Sequence, residues 1–168
     1  MSTPALTTPV LTAPEVLAWN DTTTRKWHAL IEQHPEILAL PCDIYNCKTV
    51  ADLLHHIAAV ELRYAQRLAA IPQTPYDQIP STPASALLLT HQQAFVLFRR
   101  ELATPGDWDE TIEFQTLSRG PMKSTRKIVL FHALLHGIRH YAQLATLVRQ
   151  HGIQPGWPMD YLFMGMLS

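Results

Sequence analysis

The placement of proline constrains this chain more than any other feature. Its 13 prolines leave four long windows without one, residues 15–34, 42–71, 84–104 and 122–154. A helix interior excludes proline, which lacks the amide N–H and whose ring meets the carbonyl one turn back. Each window also carries helical periodicity. In the second, Val50, Leu53, Leu54, Ile57, Val60, Tyr64 and Leu68 recur at three- and four-residue spacing, and Thr49 with Asp52 supplies a T-x-x-D variant of the capping box. The third opens with Thr82 as the expected N-cap before Pro83 at the first helical position, then runs through Leu87, Leu88, Phe95, Phe98 and Leu102. The fourth places Leu130, Leu134, Gly137, Ile138, Tyr141, Leu144, Ala145 and Val148 on one face and stops at His151-Gly152. The first, with Val16, Leu17, Trp19, Trp27, Leu30 and Ile31, reads as a less regular helix.

Four helices in one modest domain predict an all-α four-helix bundle. Between helices 3 and 4, WDETIEFQTLSRG (108–120) alternates Ile112 and Phe114 with polar neighbours before Gly120-Pro121, so a short extended or hairpin excursion is expected there. The aromatic tail IQPGWPMDYLFMGMLS is expected to pack back onto the bundle. The reading divides the chain into a flexible segment over 1–13 and a single helical domain over 14–168.

Composition narrows the function classes. With 47% hydrophobic and 16% charged residues the chain can bury a core, which disordered chains cannot. A formal net charge of -1 removes the electrostatic drive toward nucleic acid or an anionic membrane, and the local group Lys123, Arg126 and Lys127 reads as a solvated helix start. The opening MSTPALTTPVLTAP has neither a basic leader nor a sustained apolar run, and no stretch approaches the roughly 18 apolar residues of a membrane span. A soluble, cytoplasmic protein is expected. Cys42 and Cys47 form a lone C-x4-C, too little for a disulfide scaffold or a zinc ribbon, and read as free thiols in a loop.

The chemistry-bearing feature is a row of histidines. Of nine in the chain, His132, His136 and His140 lie four apart in HALLHGIRHYAQ. Each step of four advances about 40° around a helix, so neighbours stack on one side and two can chelate one ion. His132 points away from the apolar stripe and His140 comes nearest its edge, which makes His136 and His140 the pair better placed to line a cleft. A catalytic metal site typically takes three protein ligands and keeps one position open, so a third must come from another helix. His55 and His56 are the obvious donors, with His91, His28 and His34 as weaker ones; periodicity leans toward His56, about 100° from the centre of its helix's stripe against about 160° for His55. Glu61 projects within that stripe, either as a buried partner to a ligand histidine or with its carboxylate reaching water. The residues after His132 and His136 are Ala133 and Gly137, so the glutamate of H-E-x-x-H is missing and metalloprotease chemistry loses its general base.

These residues resemble the DinB-like superfamily of metal-dependent enzymes. LLHHIAAVELRYAQRL matches its second-helix histidine followed by an aliphatic residue, His56-Ile57, and LFHALLHGIRHYAQLATLVRQHG matches its late H-x-x-x-H, His136 with His140, followed by Gln143-Leu144 and Gly152. GPMKSTRKIVLFH and the proline-rich stretch leading to DYLF are also similar to the family. The resemblance implies a triad of His56, His136 and His140, with His55 or His132 taking a place if the alignment is off by a position or a turn. It implies a divalent ion, zinc or nickel, and a low-molecular-weight thiol as co-substrate in S-transfer, with homodimers common. Two departures touch the surroundings of the metal: Leu135 stands where the family often has Asn, and His140-Tyr141-Ala142-Gln143 replaces the usual His-Arg-Gly-Gln. Beside a thiol-dependent transferase acting on a small molecule stand two other readings, a metal-water hydrolase and a non-catalytic, metal-binding or stress-related dimeric helical module.

Overall fold

The computed structural model describes residues 10–116 and 119–165. Four long helices carry the fold: α1 (Ala13–Gln33), α2 (Val50–Leu68), α3 (Ala84–Ala103) and α4 (Arg126–Gln150). Between α3 and α4 the chain forms an antiparallel hairpin of β1 (Thr111–Thr116) and β2 (Gly120–Thr125), in which Ile112 faces Ser124 and Phe114 faces Met122. The bundle and its excursion thus take the predicted form. The fourth proline-free window, however, gives its first residues to β2, because Thr125 rather than a residue near Met122 caps α4, accepting from the amide of Ile128 at 3.3 Å.

Helix starts follow local chemistry. Thr49 and Asp52 form the predicted capping box on α2, and Thr12 with Glu15 forms another on α1. Of the segment 1–13, residues 1–9 lie outside the described residues and Ala13 is the first residue of α1. Thr82 does not cap α3: the helix begins at Ala84, flanked by Pro83 in extended backbone (φ -72°, ψ 175°), whose carbonyl accepts from Ala86 N at 2.9 Å. At the end of α4, Gly152 adopts φ +81°, which costs a residue without Cβ little, and the amides of Gly152 and Ile153 close on the carbonyls of Arg149 and Val148, both at 3.0 Å.

α2 packs against α3 and α4, and α1 against the same two, so α1 and α2 lie across a diagonal. Two apolar clusters fill the interior. One gathers Trp27, Leu53, Ile57, Leu144 and Val148; the other gathers Phe95, Phe98, Leu68, Leu130 and Leu134. The tail returns to the bundle, with Trp157 edge-on to Trp27 at 5.4 Å and the Trp19 indole N–H donating to the carbonyl of Met159 at 3.1 Å. Among the described residues no helix is long and apolar enough to cross a membrane.

Candidate metal centre

The facing sides of α2 and α4 bring three histidines to one point. His56, His136 and His140 are 7%, 8% and 2% exposed, and each offers a nitrogen within 4.8 Å of the others. Nε2 of His136 lies 3.1 Å from Nε2 of His56 and 3.2 Å from Nε2 of His140. Tetrahedral coordination at about 2.0–2.1 Å separates nitrogens by about 3.3 Å, so the two separations at His136 match the spacing a small divalent ion requires. The protonation of the three histidines fits as well. Burial, reinforced by the charge a neighbouring His140 would carry, holds His56 down to about 4 and His136 down to about 2; burial and Arg139 lower His140. All three are neutral near pH 7, the form in which imidazole binds metal.

Neutral imidazoles offer one N–H each, and Gln143 disposes of one of them. Nδ1 of His140 lies 2.8 Å from Gln143 Oε1, an acceptor, so the ring keeps its proton there and turns the Nε2 lone pair toward the other two histidines. Gln143 stands three residues after His140, on the same face of α4. The Nδ1 of His136 is buried without a partner. Arg139 donates from Nη2 to His140 Nε2 at 3.1 Å, a cation at the mouth of the cluster that the histidine spacing gave no reason to expect.

The connection from α1 to α2 covers this point with Tyr45. Its ring stacks on His56 at 4.3 Å and meets His140 edge-on at 6.1 Å. Pro41 and Thr49 pair as an isolated bridge and Cys42 N donates to Lys48 O at 2.9 Å, pinching the loop at its base. At its tip Tyr45 (φ +53°) and Asn46 (φ +62°) both take left-handed backbone. Asn tolerates that region and tyrosine seldom enters it, so Tyr45 is held there against its preference. The two cysteines of this loop are free thiols, as predicted, and burial pushes both upward, Cys47 to about 11. At neutral pH both therefore stay in the thiol form, the weaker nucleophile.

The remaining histidines stay outside the cluster. His132, exposed on α4, sits 5.7 Å from the His136 ring and against Tyr64; His55 meets Tyr76 edge-on. His34 pairs with Glu36 at 3.1 Å, and His28 is buried on α1, held down to about 4 by burial and the charge on His91. Glu61 is fully buried, which overturns the alternative in which its carboxylate reaches water. Nor does it serve a triad member. Glu61 Oε2 accepts from Nδ1 of His91 at 2.7 Å, and His91 Nε2 meets Asp21 Oδ1 at 3.2 Å. Burial opposes charge on His91, but the carboxylates of Glu61 and Asp21 outweigh it and raise the imidazole above its ordinary value. Asp21, with burial working against it, is drawn down to about 2 by His91 and Arg25. Periodicity placed Glu61 correctly inside its stripe; it carried no information about which of two nearby histidines, on different helices, would receive it.

A cavity of about 640 Å³ opens from the triad along α2, α4 and the hairpin. His56, His132 and His136 form its inner end, and Tyr64 and Phe114 part of its apolar wall. The volume is that of a small-molecule site.

The model of the DinB family matches residues 1–166. Among curated proteins none matches.

Proposed function

This chain belongs to the DinB family, and on that premise we propose that it is a metal-dependent enzyme: His56, His136 and His140 hold one divalent ion, zinc or nickel, and the reaction is thiol S-transfer to a small electrophile. The observation that carries the reading is the convergence of three neutral imidazoles, Nε2 to Nε2 at 3.1 and 3.2 Å, with no carboxylate among them. When bound, the ion supplies a Lewis acid that favours the thiolate form of a low-molecular-weight thiol, the nucleophilic form.

The chain's own residues do the rest. Gln143 keeps the His140 proton on Nδ1, which turns the His140 Nε2 lone pair toward the Nε2 atoms of His56 and His136. Tyr45 shields the triad from bulk water on the loop side. His132, exposed to the cavity beside His136 and lowered by partial desolvation there and by Arg139, is an unprotonated base within the same wall and takes the thiol proton. The electrophile occupies the cavity, where the thiol sulfur forms the new bond and the leaving group departs with its electron pair.

Metal-water hydrolysis is the second reading. It shares the triad and the His132 base, since no Asp or Glu lines the cavity among the described residues, and the dependence of turnover on added thiol separates the two. We also propose a cytoplasmic homodimer that takes a small molecule, with neither nucleic acid nor membrane as partner; the near-zero net charge and the exposed Leu162 and Phe163 of the tail support this. A non-catalytic metal-binding module would share the triad and fail the assay. Incubation of metal-loaded protein with a thiol and an electrophile, beside a panel of esters and amides, tests the chemistry. Thiol-dependent consumption of the electrophile, lost in His136→Ala, is expected; thiol-independent ester turnover would overturn S-transfer.

A further inference from the structure

The arginines of this chain are not distributed evenly between paired and unpaired. Arg25, Arg99, Arg100 and Arg126 each reach a carboxylate at 2.9–3.2 Å. Of the others, all but Arg149 line the cavity beside the triad: Arg63, Arg67, Arg119 and Arg139. No Asp or Glu lines it with them, and among the described residues none of the four makes a salt bridge. A protein with a net charge of -1 therefore gathers four uncompensated cations around one 640 Å³ space.

Such an arrangement is costly without a counter-charge, because like charges facing a low-dielectric wall repel and are poorly solvated. Three of the four guanidinium groups, those of Arg63, Arg67 and Arg139, are also held by contacts within the protein. Arg67 lies with its guanidinium carbon 4.5 Å over the Tyr64 ring and 4.2 Å over that of Phe114, and donates to Gln115 O at 2.9 Å and Gln73 Oε1 at 3.0 Å. Its Nε and Nη1 are buried with no acceptor. Buried donors left empty cost free energy that an acceptor would return. Arg63 is tied to the carbonyl of Thr74, and Arg139 to His140 Nε2 at 3.1 Å, which sets one cation directly at the triad.

We propose that this cavity binds a small molecule carrying an oxyanion, a carboxylate or a phosphate, held by Arg63, Arg67, Arg119 and Arg139 with its apolar portion against Tyr64 and Phe114. Forked N–H donors match both oxyanions, and the aromatic wall selects for a ligand with an apolar body. That the bound anion is the enzyme's substrate rests on the metal-dependent reading; that an anion binds rests on the arginines alone.

The experiment is isothermal titration of the zinc-loaded protein with 2-naphthoate, 2-naphthyl phosphate and the uncharged 2-naphthamide. One or both anions bind at least about tenfold more tightly than the amide, the scale of a single charge-assisted hydrogen bond, and the tighter of the two names the oxyanion. Arg63→Gln and Arg139→Gln, which leave the Arg67 stack intact, each weaken anion binding severalfold and leave the amide unchanged. Raising the salt from about 0.02 to about 0.5 M weakens the anions alone, as screening requires. Equal affinities for anion and amide, no binding of any probe, or anion affinity unmoved in both variants would overturn the proposal. His136→Ala, with its zinc content measured on the same sample, separates the two readings. Anion preference that persists without zinc supports the arginine site; preference that vanishes there assigns the anion to the metal and overturns it. Wild-type protein that binds the anions but takes up no zinc fails the metal reading only.

Discussion

Two clusters of buried polar side chains lie close together in the bundle and handle charge in opposite ways. One is the triad of His56, His136 and His140, three imidazoles with no carboxylate among them. The other ties all four helices: Asn20 and Asp21 from α1, Glu61 from α2, His91 from α3 and the carbonyl of Leu134 on α4, which accepts from Asn20 Nδ2 at 2.8 Å. The histidine of the second cluster stands between two carboxylates and is raised, whereas those of the first, facing burial and one another, are lowered. The mixed cluster carries its own counter-charges, although Glu61 Oε1 is buried without a hydrogen-bond partner. The histidine-only cluster turns ring nitrogens toward one another with no counter-charge among them, and only His140 Nε2 meets an outside donor, Arg139 Nη2; that is the condition of a ligand set. Burial alone does not distinguish a structural histidine from a metal ligand in this protein; the identity of the neighbouring group does.

The sharpest way to break the comparison is His91→Ala, which leaves Glu61 fully buried without its cation, while Asp21 keeps Arg25 and Arg99. Removing one partner of a buried ion pair costs about 3–5 kcal/mol, to be read from urea unfolding of the variant beside wild type, while metal stoichiometry stays unchanged. Gly137→Ala comes next. Gly137 follows His136 and faces the mixed cluster, where a Cβ would lie 2.7 Å from Asn20 Nδ2 and 2.8 Å from Glu61 Oε1. Overpacking of this kind costs about 1–3 kcal/mol, and because the shift moves α4 beside a ligand, metal affinity measured by chelator competition falls with it. Gln143→Leu acts on the triad alone. The loss of the His140 Nδ1 acceptor lowers metal affinity by about 10–100-fold in the same competition, with little change in the unfolding free energy.

The smallest effect is on pH dependence. His91 has its folded value above 6.5, so its contribution to stability is complete below the unfolded value and fades as the pH rises through the folded one. Asp21, drawn down to about 2 from 3.8, contributes above 3.8 and loses that contribution as the pH falls toward 2. The stability difference between wild type and His91→Gln, followed by denaturant titration across pH, is therefore largest in mildly acidic solution and shrinks in alkaline solution. A difference that grows with pH would contradict the assignment of a charged His91.

The sequence makes one half of this comparison plain and hides most of the other. The four-residue spacing of His136 and His140 fixes them on one face because helix geometry is local, and the stripe-edge position of His56 follows from the same arithmetic. Proline windows and the Thr49–Asp52 box located the helices for the same reason, although Thr82 misled because an N-cap depends on where the backbone turns, not only on residue type. What periodicity could not reach is tertiary. His91 lies 30 residues from Glu61 and 70 from Asp21, and only the packing of α3 between α1 and α2 joins them. Tyr45 reaches the triad from a pinched loop whose left-handed tip has no periodic signature, and the four cavity arginines come from α2, α4 and the hairpin, so no local stretch reads as basic.

The central claim, that the histidine-only cluster is a ligand set and the mixed cluster is not, is tested most directly by elemental analysis of untagged wild type, His56→Ala, His136→Ala and His91→Ala. About one zinc or nickel ion per chain is predicted in wild type and in His91→Ala, with none in the two triad variants. Wild-type protein that fails to take up added zinc or nickel, or triad variants that retain a full equivalent, would contradict it.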